Sequence, residues 1–94
     1  MKIVWSEPAR QDLRQLFEFI ATENPNAARR LLDEIRKQAI ILVDNPQIGR
    51  SGRVEGTREL VLAGTSYILP YRIKDKQVQI LAVFHTSRQW PESF

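Results

Sequence analysis

The 94-residue sequence lacks cysteine and has a single histidine, His85. The absence of cysteine excludes disulfides, thiolate metal ligands and a thiol nucleophile. A zinc site would have to consist almost wholly of carboxylates, which is unusual, so we expect neither a metal nor another cofactor. No apolar run approaches the roughly eighteen residues of a membrane span, and "IVW" near the N-terminus is too short for a signal peptide. We therefore expect a cytoplasmic protein that does not associate with membranes.

Acidic residues are scarce in the second half of the chain. Up to Gln47 the sequence has seven basic and seven acidic residues, whereas the remainder has seven basic and four acidic ones. The net charge of +3 therefore comes entirely from the second half, and an anionic partner is expected to bind there. With 43% hydrophobic and 27% charged residues, the composition is typical of one globular domain over residues 1–94.

Two amphipathic helices are predicted in the first half. Ser6 before Glu7 and Pro8 is typical of a helix start, and Asn24 before Pro25 is typical of a second one. The apolar stripes consist of Ala9, Leu13, Leu16, Phe17 and Ile20 in the first helix, and of Ala28, Leu31, Leu32, Ile35, Ala39, Leu42 and Val43 in the second. Because the connection between them is short, the sequence predicts an antiparallel helical hairpin.

The remaining segments have strand patterns. "KIVW" predicts a short strand, and "TRELVL", "SYILPYRI" and "QVQILAVF" predict an antiparallel meander after the loop "PQIGRSGRVEGT". Pro70 lies within the middle strand, so we expect a bulge there or an N–H side that faces no partner. The predicted fold is α+β in the order β-α-α-β-β-β, with the helical hairpin packed on a mostly antiparallel sheet of three to four strands.

Alternation along the last strand divides its side chains between two faces of the sheet. Val78, Ile80, Ala82 and Phe84 are expected to pack on the helices. The other face, called the open face here, is expected to carry Gln77, Gln79, Leu81, Val83 and His85, together with Ile68, Pro70 and Arg72. On this interpretation His85 and Arg72 share one surface.

The order and spacing of these segments resemble the RelE/ParE superfamily of bacterial toxins from type II toxin–antitoxin systems. The resemblance covers nearly the whole chain and depends on Asp12 and Leu13, on "NPQIGR" at residues 45–50, on "RELVL" and "YILPYR", and on the strand that ends at His85. It implies a small toxin that is held inactive by an antitoxin encoded beside it. Such antitoxins combine a DNA-binding half, through which the complex binds operator DNA, with an often acidic segment that wraps the toxin.

The superfamily contains two activities. The RelE branch cleaves ribosome-bound mRNA without a metal, which requires a base, an acid and cations around the reacting phosphate. If the chain cleaved RNA in this way, His85 and Arg88 would be the catalytic candidates. Glu59, Val61 and Ile68 stand where the RelE pattern is basic, so most of that catalytic set is missing.

The ParE branch poisons DNA gyrase by binding it, and its pattern is matched more closely. The matching residues are Arg58 with Leu60, Tyr67 with Tyr71 and Arg72, and Val83 to His85 with Arg88. The chain departs from ParE at Gln89 to Pro91, where ParE continues with methionine and aspartate. The resemblance favours a ParE-like gyrase inhibitor whose binding residues are Arg58, Arg72, His85, Arg88 and Trp90. A RelE-like endonuclease and an inactive antitoxin-binding module are the alternatives.

Simpler structural roles compete with these assignments. A histidine at a strand end is ordinarily hydrogen-bonded to backbone, and no carboxylate partner for His85 is assignable. Arg58 beside Glu59 is typical of exposed cross-strand ion pairs, each worth less than about 1 kcal/mol. Trp90 could pack at an edge or receive the antitoxin. A solvated, salt-bridged helix face is predicted for Arg29, Arg30, Arg36 and Lys37, which are interleaved with Asp33 and Glu34.

Overall fold

The computed structural model describes residues 1–87 and 90–94. It begins with strand β1 (Lys2–Trp5), helix α1 (Glu7–Ala21) and helix α2 (Pro25–Ala39), which a 3-10 turn (Ile40–Val43) extends. The strands that follow are β2 (Arg50–Ser51), β3 (Arg58–Val61), β4 (Tyr67–Lys74), β5 (Gln77–Ile80) and β6 (Phe84–His85). Two helices on one mostly antiparallel sheet confirm the predicted α+β class.

Both helices begin where the sequence predicts. The side chain of Ser6 accepts a hydrogen bond from the Ala9 N–H at 3.2 Å, and that of Asn24 accepts one from the Ala27 N–H at 3.1 Å. Each helix has proline in its first turn, where a missing N–H removes no helical bond. Residues 22–24 connect α1 and α2 as the predicted hairpin. Within the described part of the chain, no helix has the length and apolarity needed to cross a membrane.

The sheet order is β1-β5-β4-β3-β2, with β6 paired to β4 beyond the end of β5. β1 runs parallel to β5, and the other pairs are antiparallel. Four strands have at least four residues, whereas β2 and β6 have two each. The prediction that residues 46–57 form only a loop is wrong at Arg50 and Ser51, because these residues pair with β3.

The core lies between the sheet and the helical hairpin. The sheet contributes Leu69, Tyr71, Val78 and Ile80, and the helices and the 3-10 turn contribute Ala9, Ile35, Ala39 and Leu42. These side chains are at most 1% exposed. Burial of apolar surface contributes roughly 25 cal/mol per Å², so this layer is the main source of stability.

A register change separates β5 from β6. Tyr71 is paired with Ile80, but Ile68 is paired with Phe84. From Tyr71 to Ile68 the strand β4 advances by three residues, whereas the paired segment advances by four, from Ile80 to Phe84. The extra residue makes residues 81–83 a β-bulge. The sequence predicts either a bulge at Pro70 or an N–H side that faces no partner, and the bulge is found in the segment opposite Pro70 rather than in β4 itself.

Pro70 explains where the bulge forms. The Leu81 N–H donates to the Pro70 carbonyl at 2.9 Å, but proline has no N–H for the return bond of an antiparallel pair. The Leu81 carbonyl instead accepts a hydrogen bond from the Ser6 hydroxyl at 3.1 Å. The Val83 N–H donates to Oδ2 of Asp12 at 3.0 Å. Two side chains at the start of α1 therefore hold the bulged backbone.

The extra residue inverts the predicted alternation at the end of the sheet. Val83, predicted on the open face, packs in the helix-side core. Phe84, predicted on the helix side, is paired with Ile68 on the open face. His85 is paired with Tyr67, whose side chain packs against the core. The prediction that His85 lines the open face is therefore wrong, because directly paired side chains point to the same side of a sheet.

Candidate functional site

A buried carboxylate lies on the open face, where β2 meets β3. Glu59 is 1% exposed, and its Oε1 accepts hydrogen bonds from Nε and Nη2 of Arg50 at 3.0 and 2.9 Å. Its Oε2 accepts the backbone N–H of Arg53 at 2.7 Å and lies 3.8 Å from the Arg53 Nε. The side chains of both arginines are about half exposed. Two solvent-facing cations therefore satisfy one carboxylate beneath them, which offsets much of the free-energy cost of burying its charge.

The C-terminal segment, residues 90–94, contacts the same face. The Arg53 Cζ is 4.4 Å from the centroid of the Trp90 ring. The rings of Trp90 and Phe94 contact Phe84, with centroid separations of 5.0 and 5.9 Å. Phe84 is 4% exposed and Ile68 is 2% exposed, although both point away from the helix-side core. Ile68 and Phe84 form the apolar centre of the open face, and the C-terminal segment covers the Phe84 side of it.

His85 is exposed at the end of β6. Its ring makes an edge contact with Tyr67 at a centroid distance of 5.3 Å. Its Nδ1 accepts the backbone N–H of Ser87 at 3.1 Å and lies 2.8 Å from the Ser87 hydroxyl. The neutral ring therefore carries its proton on Nε2. Between described residues the ion pairs all involve Glu59, so no described carboxylate pairs with this imidazole.

Arg58 anchors a loop on the helix side of the sheet. Its Nη1 donates to the carbonyls of Gln47 and Gly49 at 3.2 and 2.9 Å. The Tyr71 hydroxyl lies beside it, where it donates to the Pro46 carbonyl at 2.8 Å and accepts the Gly49 N–H at 2.9 Å. Burial raises the Tyr71 pKa, while the Gly49 N–H and the Arg58 charge lower it in part. These contacts give Arg58 a structural role.

Gly49 is required by this arrangement. A side chain at this position would place its Cβ 2.6 Å from both Cε1 and Oη of Tyr71 and 2.9 Å from the Glu59 carbonyl. Such a separation is well inside van der Waals contact. The glycine of "IGR" is therefore required by close packing against Tyr71. Arg50, which follows Gly49, hydrogen-bonds to Glu59.

The structure separates the residues that the sequence groups as a binding set. Arg72 lies on the open face, half-buried, with its Nε donating to Oε1 of Gln79 at 2.8 Å. Trp90 is near Arg53 on that face, whereas Arg58 and His85 are on the helix side. Arg88 lies outside the described residues. The predicted set, both as a binding surface and as a catalytic pair of His85 with Arg88, stays a prediction.

Arg50 and Arg53 are not among the site residues predicted from the sequence. Both are in a segment predicted to be a loop, and their shared contact with Glu59 depends on the pairing of β2 with β3. An acidic residue inside the apolar strand "RELV" was the available signal. A buried carboxylate requires cations, and the segment "RSGR" offers the nearest ones in sequence.

A second cationic feature, which we call the helix groove, lies along α1, α2 and β1. One part has a volume of about 360 Å³ and is lined by Arg10, Arg14 and Arg36 with Leu13, Phe17 and Leu32. It continues into a part of about 420 Å³ that adds Lys2, Ile3, Val4 and Trp5. Among the described residues that line it there are four cations and no carboxylate. The apolar floor and cationic rim suit an acidic amphipathic segment.

The helix groove bears on two predictions. An anionic partner is expected to meet the second half of the chain, and this stays a prediction, although a cationic groove also lies in the first half. Salt bridges were predicted around Arg36, but between described residues the ion pairs involve only Glu59. Overall charge balance in the first half thus conceals a local excess of positive charge. In the described ranges, no group of His, Asp and Glu could hold a metal ion.

Comparisons with known proteins match this chain to toxins and to toxin–antitoxin systems. The family described as "ParE toxin of type II toxin-antitoxin system, parDE" matches residues 3–90. The protein Y4kP of Sinorhizobium fredii, which is named as a candidate toxin, is 41% identical over 91 residues, covering 97% of this chain and 94% of that protein. The match therefore extends over nearly the full length of both chains.

Two solved structures are similar in fold and sequence. A chain of the chromosomal ParDE TA system from P. aeruginosa has a TM-score of 0.83 and 30% identity, covering 90% of this chain and 95% of that one. A chain of the toxin–antitoxin complex RelBE2 from Mycobacterium tuberculosis has a TM-score of 0.64 and 30% identity, with coverages of 89% and 95%. At equal identity, the ParDE chain is the better structural match.

Proposed function

Because the chain belongs to the ParE toxin family of type II toxin–antitoxin systems, we propose that it inhibits DNA gyrase by binding the enzyme rather than by cleaving nucleic acid. It acts in the cytoplasm, where gyrase and DNA are found. A cognate antitoxin neutralises it, and the DNA-binding half of that antitoxin brings the complex to operator DNA. The similarity to toxins of ParDE and RelBE systems supports the antitoxin as a partner.

The main support for this proposal is that Glu59 on the open face is already bonded and that His85 does not lie on that face. Metal-free RNA cleavage needs a base and an acid that can reach the same phosphate, with cations around it. Both carboxylate oxygens of Glu59 are already bonded to Arg50 and Arg53. His85 lies on the other side of the sheet with Nδ1 occupied by Ser87. A surface that recognises a partner therefore fits these residues better than a proton-transfer site.

Three arginines supply the recognition chemistry of the open face. Arg50, Arg53 and Arg72 each have a guanidinium group that an intramolecular contact positions. Arginine's planar fork binds carboxylates bidentately, and positioning it beforehand reduces the entropy lost on binding. We assign target binding to these residues together with Trp90, and we assign Arg58 to holding the loop of residues 46–49.

The helix groove is the docking site that we assign to the antitoxin. Its four cations have no carboxylate partner among the described residues, so a partner with acidic residues on the edges of an apolar helix face would supply the missing charge. Leu13, Phe17 and Leu32 would contact that apolar face. The two assignments place target and antitoxin on separate surfaces.

Two assays on the purified chain test the proposal. We expect the chain to inhibit gyrase supercoiling and to leave ribosome-bound mRNA intact. Arg72→Ala should weaken gyrase inhibition by about tenfold, whereas the matched control Arg30→Ala, on the exposed surface of α2, should not. Cleavage of mRNA that is lost in His85→Ala would overturn the proposal in favour of a RelE-like endonuclease. A chain that affects neither gyrase nor growth when induced alone would be an inactive antitoxin-binding module.

A further inference from the structure

We propose that Glu59, Arg53 and Trp90 form a latch that holds the C-terminal segment over the apolar centre of the open face, and that opening this latch adds that apolar centre to the arginines and Trp90 that bind the target. The latch depends only on contacts within this chain. Its consequence for the target rests on the proposed function. The device makes the open face a regulated surface rather than a permanently available one.

Glu59 positions both the backbone and the side chain of Arg53. Glu59 accepts the backbone N–H of Arg53 at 2.7 Å and lies close to its Nε, so both the loop and the guanidinium group are fixed by one buried carboxylate. Arg50 bonds to the other oxygen of Glu59, which prevents that carboxylate from turning away. The guanidinium group of Arg53 is thereby held 4.4 Å from the Trp90 ring, within the range of a cation–π contact.

The C-terminal segment covers the ring of Phe84. Trp90 and Phe94 both contact Phe84, and Pro91 and Phe94 line a cleft with Leu81 and Ala82 of the bulge. Phe84, which is paired with Ile68, would gain exposure if the segment moved away, and an apolar patch would appear on the face that carries Arg72. A patch of this kind, with aromatic rings and arginines around it, has the composition of a protein–protein contact.

The attachment of residues 90–94 to the sheet determines how readily the segment can move. Between described residues, no backbone hydrogen bond ties residues 90–94 to the sheet. The described contacts that hold the segment are made by side chains, mainly the rings and Arg53. The Trp90 Nε1 is buried and has no acceptor among the described residues, which opposes closure. The ring contacts therefore favour the closed position of the segment, whereas the unsatisfied Nε1 donor favours the open one. A partner that binds the open form would shift this equilibrium.

Tryptophan fluorescence tests the latch directly. The chain has two tryptophans, so the Trp5→Phe variant reports Trp90 alone. In that background, Arg53→Gln should increase the open fraction roughly fivefold, which is seen as stronger acrylamide quenching and a red-shifted emission. Arg72→Gln is the matched control, since Arg72 lies on the same face but its described contact is with Gln79, and it contacts neither Glu59 nor the Trp90 ring among the described residues. Equal quenching in the Arg53→Gln variant and its parent would overturn the latch.

A truncated chain that ends at Gln89 provides a second measurement. It keeps Trp5 and carries no substitution. The truncated chain should bind the apolar dye anilinonaphthalene sulfonate more strongly than the full chain and should keep its helical circular dichroism. A folded truncation with unchanged dye binding would contradict the covered patch. These readouts do not involve gyrase. If they succeed while gyrase is unaffected, the latch stands and the proposed target fails.

Discussion

The helix groove and the open face are both cationic, but their cations are held in different ways. In the groove, Arg10, Arg14 and Arg36 surround an apolar floor and meet no carboxylate among the described residues. On the open face, Arg50 and Arg53 share the buried Glu59, and the chain's own C-terminal segment covers the apolar centre. Net charge alone does not distinguish these surfaces. The groove suits an acidic segment that supplies the missing charges, whereas the open face suits a partner that contacts arginines already in position.

The largest expected effect comes from reversing charge in the groove. Arg10→Glu with Arg36→Glu should weaken binding of the cognate antitoxin by about 100-fold or more, because attraction at two sites becomes repulsion. Gyrase inhibition by the free toxin should remain. Calorimetric titration of antitoxin into each purified variant, together with a supercoiling assay, measures both quantities.

Arg29→Glu with Arg30→Glu is the matched control for the groove. These arginines are exposed on α2 but do not line the groove. The control carries the same change in net charge, so it should bind the antitoxin nearly as well as the unmodified chain. If both double variants lose affinity equally, the effect is one of overall charge and the distinction between the two regions fails.

Gly49 packs against Tyr71 and directly precedes Arg50 of the open face, and its substitution is expected to have the next largest effect. Gly49→Ala should lower the free energy of unfolding by about 1–3 kcal/mol, because the new methyl group overlaps Tyr71 and the Glu59 carbonyl. Part of the overlap is with the Tyr71 hydroxyl, so the combination with Tyr71→Phe should cost less than the sum of the single changes. Urea unfolding of the four proteins measures this coupling, and strict additivity would show that the loop moves away from Tyr71.

A smaller effect is expected for Glu59→Gln. The amide keeps the shape of the side chain but removes the charge, and its NH₂ group opposes the Arg53 N–H, so we expect a loss of about 1–2 kcal/mol in unfolding free energy. Glu55→Gln is the control, since Glu55 is exposed and should stay within about 0.5 kcal/mol of the unmodified chain. Equal stability of both variants would mean that the arginines on the open face do not depend on Glu59.

Features that local chemistry determines could be predicted from the sequence. The caps at Ser6 and Asn24 require only a side-chain oxygen and the next few N–H groups, and both are confirmed. Pro70 lacks the donor that a central strand needs, so a bulge was predictable, but it forms in residues 81–83 opposite Pro70 rather than at Pro70 itself. Its effect on later residues was missed. A one-residue shift moves every following side chain to the other face, which is why the predictions for Phe84 and His85 are wrong.

Features that join distant segments could not be predicted. The Leu81 carbonyl and the Val83 N–H are bound by Ser6 and Asp12, which are about 70 residues earlier in the chain. The helix groove likewise brings Lys2 beside Arg36. Such contacts follow from the strand order, with β1 placed next to β5, and the spacing of residues along the chain carries little information about that order.

The smallest expected effect is a loss of stability at alkaline pH that originates on the helix side of the sheet. Burial raises the pKa of Tyr71 above its ordinary value of 10.0 and does the same for Tyr67. The folded protein therefore holds these protons more tightly than the unfolded chain. The resulting stabilisation is fully present below about pH 10 and is lost as the pH rises through the folded-state pKa. Urea unfolding between about pH 8 and pH 11 should show stability falling above pH 10. Tyr71→Phe should start from a lower stability, because two hydrogen bonds are missing, and should then fall less steeply. An equally steep fall in this variant would assign the alkaline loss to other groups.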